Sequence, residues 1–238
     1  MKALILNSGM GTRMGVLTSE HPKCMTEIAG EETILSAQLK KALAFGVTDV
    51  VITTGYFNDV LEKYCASLAL PLNYEFVYNP RYSETNYIYS IYCAREILKG
   101  NDILLMHGDL VFEDAALRAV LDSPVSCMTV SSTVPLPEKD FKAVLKDGKI
   151  TAVGIEFFEN AVAAQPLYKL LASDWDTWLD RIAAFCENGT VKCYAENALN
   201  EVSSNMALYP LDVLDLVCNE IDNAEDLATV SARYQKTL

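Results

Sequence analysis

The sequence predicts an α/β fold in which a mostly parallel sheet carries helices on both faces. Short apolar segments alternate with amphipathic ones through the first 120 or so residues, in the order β-α-β-α-β-α-β. The segment 47–56 (VTDVVITTGY) is a continuous β-branched run, typical of a parallel strand covered on both faces. Later, Asp147-Gly148 between two apolar runs predicts a hairpin, and therefore a small antiparallel insertion in the sheet.

Hydrophobic periodicity and turn residues place the individual elements. Gly46 is a candidate C-cap for the first long helix, and Asn58 is a candidate N-cap for the second. The predicted order is a strand over 2–7, a helix over 33–45, the strand at 47–56, a helix over 58–68, a strand over 72–79, a helix over 86–98, a strand over 102–109, a helix over 114–122, a strand over 125–130, the hairpin over 141–157, a helix over 166–188 and a helical tail over 224–235. Because no repeat, low-complexity segment or linker interrupts this order, we expect one domain over 1–238, with the insertion at roughly 135–200.

Composition excludes several classes of function. The chain has 238 residues, 51% hydrophobic and 21% charged, which is ordinary for a globular protein. The formal net charge of -13 leaves no basic patch of the kind that nucleic-acid binding requires. No stretch approaches the ~20 apolar residues that cross a bilayer, so we expect a cytoplasmic protein without a membrane partner.

The cysteines do not predict a disulfide framework or a metal site. There are seven of them, dispersed along the chain and never spaced as C-x-x-C. This usage is typical of reduced thiols in a cytosolic core.

The loop after the first strand, 9–15 (GMGTRMG), has the composition of a phosphate site. Gly9 and Gly11 allow backbone amides to approach phosphate oxygens, Thr12 adds a hydroxyl donor, and Arg13 adds a planar cation. The P-loop pattern is absent, and Met14 breaks the dinucleotide fingerprint, which disfavours an NAD-type dehydrogenase. The glycines alone leave two alternatives open, a phosphate site and an ordinary strand-to-helix turn.

Pro22-Lys23 favours the phosphate site, because the lysine can fold back over the same pocket. The combination G-x-G-T-R…P-K resembles the nucleotidyltransferases, the superfamily that includes the sugar-phosphate nucleotidyltransferases, and this resemblance implies a Rossmann-like fold of the nucleotide-diphospho-sugar transferase type. It extends along the chain. The segment 52–56 (ITTGY) stands at their second strand, and 107–109 (HGD) and 220–222 (EID) resemble their metal-binding motifs.

One stretch is similar to a particular branch of that superfamily. Residues 79–90 (NPRYSETNYIYS) resemble the N-x-x-Y-x-x-T-N-x-x-x-S pattern of bacterial phosphocholine cytidylyltransferases and their 2-aminoethylphosphonate relatives. The segment 194–201 (YAENALNE) is similar to the one before the terminal strand of the aminophosphonate enzymes. Because no E-K-P motif is present, we expect a small acceptor. CTP and a small phosphorylated or phosphonate compound are therefore the expected partners, and the oligomeric state is left open, with a homodimer as one option.

The resemblance implies a mechanism that the residues can support. An acceptor phosphate or phosphonate is already anionic, so attack on the α-phosphorus of CTP needs no strong base, and catalysis is positioning plus charge neutralisation. Asp109 and Asp222 are the expected ligands of Mg²⁺, and Lys23 and Arg13 the expected catalytic cations.

The expected ligand-binding residues follow the same motifs. Those assigned to CTP are Asn7, Ser8, Gly9, Gly11, Thr12, Arg13, Lys23, Thr54, Gly55, Tyr56, Asn79, Thr85, Asn86 and Ser90. Those assigned to the acceptor, where an ammonium group favours aromatic faces and carboxylates, are Tyr82, Lys142, Tyr168, Trp175 and Glu196. Asn7-Ser8 departs from the two small residues of most relatives and bears on the choice of base.

Structural alternatives stand beside these roles. Asp109 and Asp222 are also good helix caps or turn residues, and Asn86 is a good N-cap that can contact a ligand at the same helix end. Lys142 could be a solvated lysine, and Trp175 a core residue. At the level of function, the alternatives are a sugar-1-phosphate nucleotidyltransferase and a catalytically silent nucleotide-binding module.

Overall fold

The computed structural model describes residues 1–9, 11, 15 and 18–238. Its strands are β1 (Lys2–Leu6), β2 (Glu27–Ala29), β3 (Glu32–Thr33), β4 (Asp49–Thr54), β5 (Asn73–Tyr78), β6 (Ile103–His107), β7 (Leu110–Phe112), β8 (Cys127–Ser131), β9 (Lys142–Lys146), β10 (Lys149–Gly154), β11 (Ala161–Leu170), β12 (Tyr209–Asp212) and β13 (Cys218–Glu220). Its helices are α1 (Ile34–Ala44), α2 (Asn58–Ser67), α3 (Tyr87–Cys93), α4 (Arg95–Leu98), α5 (Asp114–Asp122), α6 (Ala172–Glu187), α7 (Ala195–Val202) and α8 (Ala224–Tyr234).

A parallel block forms the centre of the main sheet, in the order β6-β1-β4-β5. The apolar strand at the start of the chain lies between its two parallel neighbours, with Leu4 opposite Val51 on one side and Leu105 on the other. Both faces of this block are covered, which is why its strands read as continuous apolar runs. The predicted alternation of strands and helices is therefore confirmed through residue 122.

The helices divide between the two faces of the sheet. Helices α1, α2 and α5 pack on one face, in the core cluster that includes Ile5 and Ile52. Helices α3, α6 and α7 pack on the other face, in the cluster that includes Leu4 and Leu105. This opposite placement follows from the strand repeat, because successive side chains of β1 point to opposite faces.

An antiparallel block extends the sheet beyond β6, in the order β10-β9-β11-β6. Strand β8 pairs antiparallel with β11 and parallel with β12. The predicted hairpin is confirmed between β9 and β10, where Asp147 and Gly148 both have positive φ (52° and 74°) as its two-residue turn requires. Strands β9–β11 and α6 lie within 135–200, whereas β8 precedes this range and α7 ends at Val202. The single domain over 1–238 stays a prediction.

Three local predictions are wrong in detail. Residues 161–170 form β11 and the helix begins only at Ala172, because pairing with β6, β8 and β9 outweighs the helix propensity of the Ala- and Leu-rich segment. The helix predicted over 86–98 is divided at Ala94 into α3 and α4. Phe57, and not Asn58, is the N-cap of α2.

The carboxyl ends of the parallel strands lie together at one edge of the sheet. Strands β1, β4, β5 and β6 run parallel, so their carboxyl ends meet at the same edge, where open α/β sheets bind ligands. The small β7–β13 pair brings residues 218–222 to this edge, where Ile221 N donates to Asp109 O. Among the described residues, no helix combines the length and apolar character that a bilayer crossing requires.

Candidate active site

A cleft of about 390 Å³ opens at the carboxyl ends of β1 and β6. Twelve of the residues predicted from the sequence lie in its wall: Asn7, Ser8, Gly9, Gly11, Lys23, Asn79, Tyr82, Thr85, Asn86, Ser90, Asp109 and Asp222. Residues from five separate segments of the chain thus converge on one space, as the motif combination predicted. Thr12 and Arg13 lie outside the described residues.

Lys23 is the electrostatic centre of one end of the cleft. Pro22 has extended backbone angles and is followed by a short 3-10 helix, Lys23–Met25, that sets the lysine at the cleft wall. Lys23 Nζ donates to Asp109 Oδ2 at 2.6 Å and to Asp222 Oδ1 at 2.5 Å, and only 13% of its side chain is exposed. Burial lowers the pKa of Lys23, but the two carboxylates outweigh it, so the net pKa is raised and the lysine stays a cation.

Neither aspartate is the N-cap of the helix that follows it, although Asp109 lies in the turn between β6 and β7. The N-cap of α5 is Glu113, and that of α8 is Asn223, whose side chain accepts from two backbone amides. Burial raises the pKa of Asp109, but the charges of Lys23 and His107 lower it by more, so the net pKa lies below its usual value. Asp109 is therefore a carboxylate at neutral pH, available to a cation.

A second carboxylate on the terminal strand was not assigned a role from the sequence. Glu220 Oε1 lies 3.0 Å from His107 Nδ1 and within 4.8 Å of a carboxylate oxygen of Asp109. Burial and the charge of Asp109 raise the pKa of Glu220 to about 7, against the opposing effect of His107. Burial lowers the pKa of His107, but the hydrogen bond and charge of Glu220 raise it more, so the net pKa of the imidazole is raised.

The donor set at this end suits a hard divalent cation. The ligand atoms of His107, Asp109 and Glu220 lie within 4.8 Å of one another, and Asp222 shares Lys23 with Asp109. Three carboxylates in one place provide the oxygen ligands that Mg²⁺ prefers. An acidic metal site is therefore possible here. The signal for Glu220 in the sequence was the EID motif itself, which places two carboxylates two residues apart.

Asn7 and Ser8, which follow β1, pack tightly against two glycines. A Cβ at Gly108 would lie 1.7 Å from Asn7 Oδ1, and one at Gly55 would lie 2.4 Å from Ser8 O. Both positions therefore need glycine. Asn7 Nδ2 and Ser8 Oγ are buried and have no hydrogen-bond partner in the described part of the chain, although both residues line the cleft. A buried polar atom without a partner costs about 1–3 kcal/mol, which a ligand that pairs with it could recover.

The N-x-x-Y-x-x-T-N-x-x-x-S segment forms a polar network at the cleft wall. Asn79 Nδ2 donates to Thr85 Oγ1 at 3.2 Å and to Ser90 Oγ at 3.0 Å. Asn86 is the N-cap of α3, and its Oδ1 accepts from the amide of Tyr87. These hydrogen bonds give each polar residue of the segment a role in local structure. The cleft is also lined by Asn79, Thr85, Asn86 and Ser90.

Four rings line the part of the cleft wall that adjoins the carboxylates through His107. We call this part the aromatic end and the part around Lys23 the lysine end. We call Tyr87, His107, Phe141 and Tyr194 the aromatic ring set. Neighbouring centroids lie 4.8 Å apart for Tyr87 and His107, 6.3 Å for His107 and Phe141, 5.2 Å for Phe141 and Tyr194, and 5.8 Å for Tyr194 and Tyr87. The set draws on α3, β6 and the segments before β9 and α7, so no local sequence pattern reveals it.

A buried carboxylate supports the ring set from behind. Glu196 accepts hydrogen bonds from the hydroxyl groups of Tyr87 and Tyr168, the latter at 2.9 Å, and is 1% exposed. Burial and the charge of Glu196 raise the pKa of both phenols well above the usual value, so both hydroxyls remain protonated donors.

Seven predicted site residues do not line the cleft. Tyr168 and Trp175 are fully buried in the core with Trp178, and Lys142 is fully buried against backbone carbonyls. The complete group is Thr54, Gly55, Tyr56, Lys142, Tyr168, Trp175 and Glu196. Tyr82 does line the cleft, but its Cβ lies 3.0 Å from the Cβ position of Gly55, beside Ser8 and away from the ring set.

The family model described as the MobA-like NTP transferase domain matches residues 3–135, more than half of the chain. The chain belongs to this family. The matched region includes the Lys23–Asp109 end of the cleft, which is the part that the opening motif predicted. The resemblance to nucleotidyltransferases, and the enzyme class that it implied, are thereby confirmed.

Two curated relatives narrow the comparison within the MobA-like NTP transferases. The choline-phosphate cytidylyltransferase of Streptococcus pneumoniae is 30% identical over 237 residues, covering 95% of each chain. The CMP-5'-(3-aminopropyl)phosphonate synthase of Streptomyces rubellomurinus is 32% identical over 132 residues. That match covers 56% of this chain and 21% of the synthase, so this chain corresponds to about a fifth of that relative.

A solved structure confirms the predicted fold class. The CTP:phosphocholine cytidylyltransferase of Streptococcus pneumoniae superimposes with a TM-score of 0.80, covering 97% of both chains at 19% identity. At that identity the likeness concerns the fold alone. The mixed, mostly parallel sheet with helices on both faces is that of known nucleotidyltransferase structures.

Proposed function

We propose that this protein is a cytidylyltransferase that transfers CMP from CTP to a small phosphate or phosphonate acceptor carrying a positively charged amine. The observation that carries this proposal is the pairing of two unlike ends in one cleft. One end holds Lys23 among carboxylates, and the other holds the aromatic ring set. A triphosphate suits the first end and an organic cation suits the second.

The lysine end suits the transfer step. An anionic oxygen of the acceptor attacks the α-phosphorus of CTP, a new P–O bond forms, the bond between the α-phosphorus and the bridging oxygen breaks, and pyrophosphate leaves with that electron pair. No proton needs to be removed from the acceptor. Lys23 would neutralise phosphate charge, and the neighbouring glycines would let backbone amides approach it.

Mg²⁺ is the proposed metal. Asp109 and Asp222 would hold it, with Glu220 beside them, because the three carboxylates form an oxygen donor set at this end. When bound, Mg²⁺ would neutralise phosphate charge and help align the reacting groups. Lys23, which both aspartates share, would then be free to pair with the triphosphate.

The aromatic end suits an ammonium group. A cation over the face of an aromatic ring gains about 0.5–2 kcal/mol, more when it is removed from water. Tyr87, Phe141 and Tyr194 offer three such faces, whereas the fourth ring, His107, is paired with Glu220. Glu196 adds a buried carboxylate behind Tyr87. The two curated relatives are named for choline phosphate and 3-aminopropylphosphonate, and both names combine a phosphorus acid with an amine, which supports the same acceptor class here.

Acceptor-dependent pyrophosphate release tests the proposal. CTP, UTP, ATP and GTP would each be assayed against phosphocholine, phosphoethanolamine, 2-aminoethylphosphonate and sugar 1-phosphates. We expect release only with CTP and an amine-bearing acceptor. Preference for a sugar 1-phosphate would contradict the acceptor class, and release with no pair would contradict transferase activity.

Replacing one ring tests the acceptor end. Phe141→Leu is expected to raise KM for the amine-bearing acceptor by about 3- to 30-fold, the equivalent of losing one cation–π contact. KM for CTP should stay within about twofold, since Phe141 is not among the residues assigned to CTP. Phe57→Leu is the matched control, because Phe57 packs on Tyr56 outside the cleft. Equal effects on both substrates would argue against a separate acceptor end.

Replacing Asn7 tests the choice of nucleotide. Asn7→Ala removes a buried amide whose Nδ2 has no hydrogen-bond partner among the described residues, so we expect the kcat/KM ratio of CTP to UTP to fall about tenfold. The kinetics of both nucleotides would be compared with those of the exposed control Asn188→Ala. A drop of the same size for CTP and UTP would show that Asn7 does not select the base.

A further inference from the structure

Lys142 is a fully buried lysine outside the cleft wall. It is the first residue of β9 and has no exposed surface. Its Nζ donates to Pro137 O at 2.6 Å and to Asp140 O at 3.2 Å, and lies 4.2 Å from the centroid of the Phe158 ring. Lysine is almost never fully buried without partners, because removing its charge from water is costly. The position therefore calls for a specific explanation.

The partners of Lys142 identify what it holds. Both acceptors are backbone carbonyls of the segment 137–141, which leads into β9 and which we call the tethered segment. Among the described residues, this segment contains no backbone ladder of its own before Phe141, whose O accepts from Ala164 N at 3.0 Å. The lysine thus supplies two local hydrogen bonds that tie the segment to the start of β9.

The same segment forms part of the cleft. Lys139, Asp140 and Phe141 line it, and Phe141 belongs to the aromatic ring set. Lys142 is fully buried and is not part of the cleft wall, so it stands behind the wall to which Phe141 contributes. Its Nζ contacts backbone carbonyl oxygens of the segment.

We propose that Lys142 is a positioning residue, which holds the tethered segment in place so that Phe141 and its neighbours form the acceptor end of the cleft. The role in acceptor binding rests on the proposed function, whereas the tether itself does not. This explains why the sequence singles out a lysine at the start of the hairpin strand, although it neither touches the cleft nor lies in solvent.

Limited proteolysis tests the tether without any substrate. In Lys142→Met the side chain keeps its apolar length but loses both hydrogen bonds, so the exposed Lys139 becomes a better trypsin site. Mass spectrometry follows the rate of cleavage after Lys139. We expect this rate to be at least about fivefold higher than in the wild type, because losing two hydrogen bonds raises the fraction of molecules in which the segment is open. Lys146→Met is the matched control, because Lys146 is exposed on the same strand. Equal cleavage rates in Lys142→Met and wild type would overturn the proposal.

Steady-state kinetics tests the effect on the acceptor. Lys142→Met is expected to raise KM for the amine-bearing acceptor by about tenfold while KM for CTP changes less than about twofold, through displacement of one cation–π partner. A merely structural lysine would shift both constants together or shift neither, and either result would overturn the acceptor role. The wild type reports separately on the proposed function, because its failure to release pyrophosphate would leave the proteolysis result as the test of the tether.

A second variant covers the case in which Lys142→Met does not fold, as judged by circular dichroism. Phe158→Leu keeps the lysine and its hydrogen bonds but removes the ring over Nζ, on a side chain that is 53% exposed. We expect cleavage after Lys139 to accelerate in the same direction by about twofold, the value of one exposed cation–π contact. Unchanged cleavage in Phe158→Leu together with an unfolded Lys142→Met would assign Lys142 to general stability and overturn the proposal.

Discussion

Lys23→Ala is expected to lower acceptor-dependent pyrophosphate release by at least about 100-fold, the usual effect of removing one fixed group that stabilises transition-state charge. The lysine lies between Asp109 and Asp222, at the end of the cleft proposed for the triphosphate. Its removal takes away the described cation nearest to that site and leaves two carboxylates facing each other. The measurement is kcat/KM for CTP at a saturating acceptor concentration.

The control for Lys23→Ala is another paired lysine. Lys40, on α1, forms an ion pair with Glu32, on β3, at 2.9 Å. The side chain of Lys40 is 53% exposed. Exposed pairs contribute about 0–1 kcal/mol, so Lys40→Ala should leave both folding and turnover nearly unchanged. Because unpairing the carboxylates also destabilises the fold, circular dichroism must show that Lys23→Ala is folded. A folded Lys23→Ala protein with near-normal turnover would contradict the mechanism.

Asp109→Asn is expected to reduce turnover by about 100- to 1,000-fold, because the change removes a charged oxygen ligand while keeping the shape of the side chain. The amide oxygen can still accept a hydrogen bond from Lys23, so the protein should remain folded. The measurement is pyrophosphate release over a titration of Mg²⁺, in which the variant should also need a higher metal concentration.

Asp114→Asn is the matched control for Asp109→Asn. Asp114 pairs with Lys41 at the start of α5, but 64% of its side chain is exposed and it lies outside the cleft wall. Turnover and metal requirement should both match the wild type. If Asp109→Asn behaved like this control, Asp109 would have no part in metal binding.

Residues on strand ends and their motifs were predictable from the sequence. Asp109 follows β6 at the edge where the parallel strands end, which follows from periodicity and strand direction. Lys23 and Asp222 do not follow parallel strands and were predicted from the family motifs. The hairpin at Asp147-Gly148 was predictable for a similar reason, since its turn requires positive φ at both residues. These features depend on local sequence or on a general rule of sheet topology.

Features that depend on tertiary packing were not predictable. Trp175 and Tyr168 look suitable for an ammonium group by composition, yet the fold buries both in the core. The rings that do line the cleft, such as Phe141 and Tyr194, are 53 positions apart in the chain. Tyr194 begins the segment 194–201, but nothing in that segment indicates that its ring meets Phe141. Lys142 shows the same limit, because its partners are backbone carbonyls whose positions the sequence pattern does not indicate.

A crystal structure of the protein with CDP-choline and Mg²⁺ would test the central claim most directly. The account predicts that the diphosphate lies beside Lys23 and Asp109, with the trimethylammonium group among Tyr87, Phe141 and Tyr194. The reverse orientation, or a ligand bound outside this cleft, would contradict the assignment of its two ends.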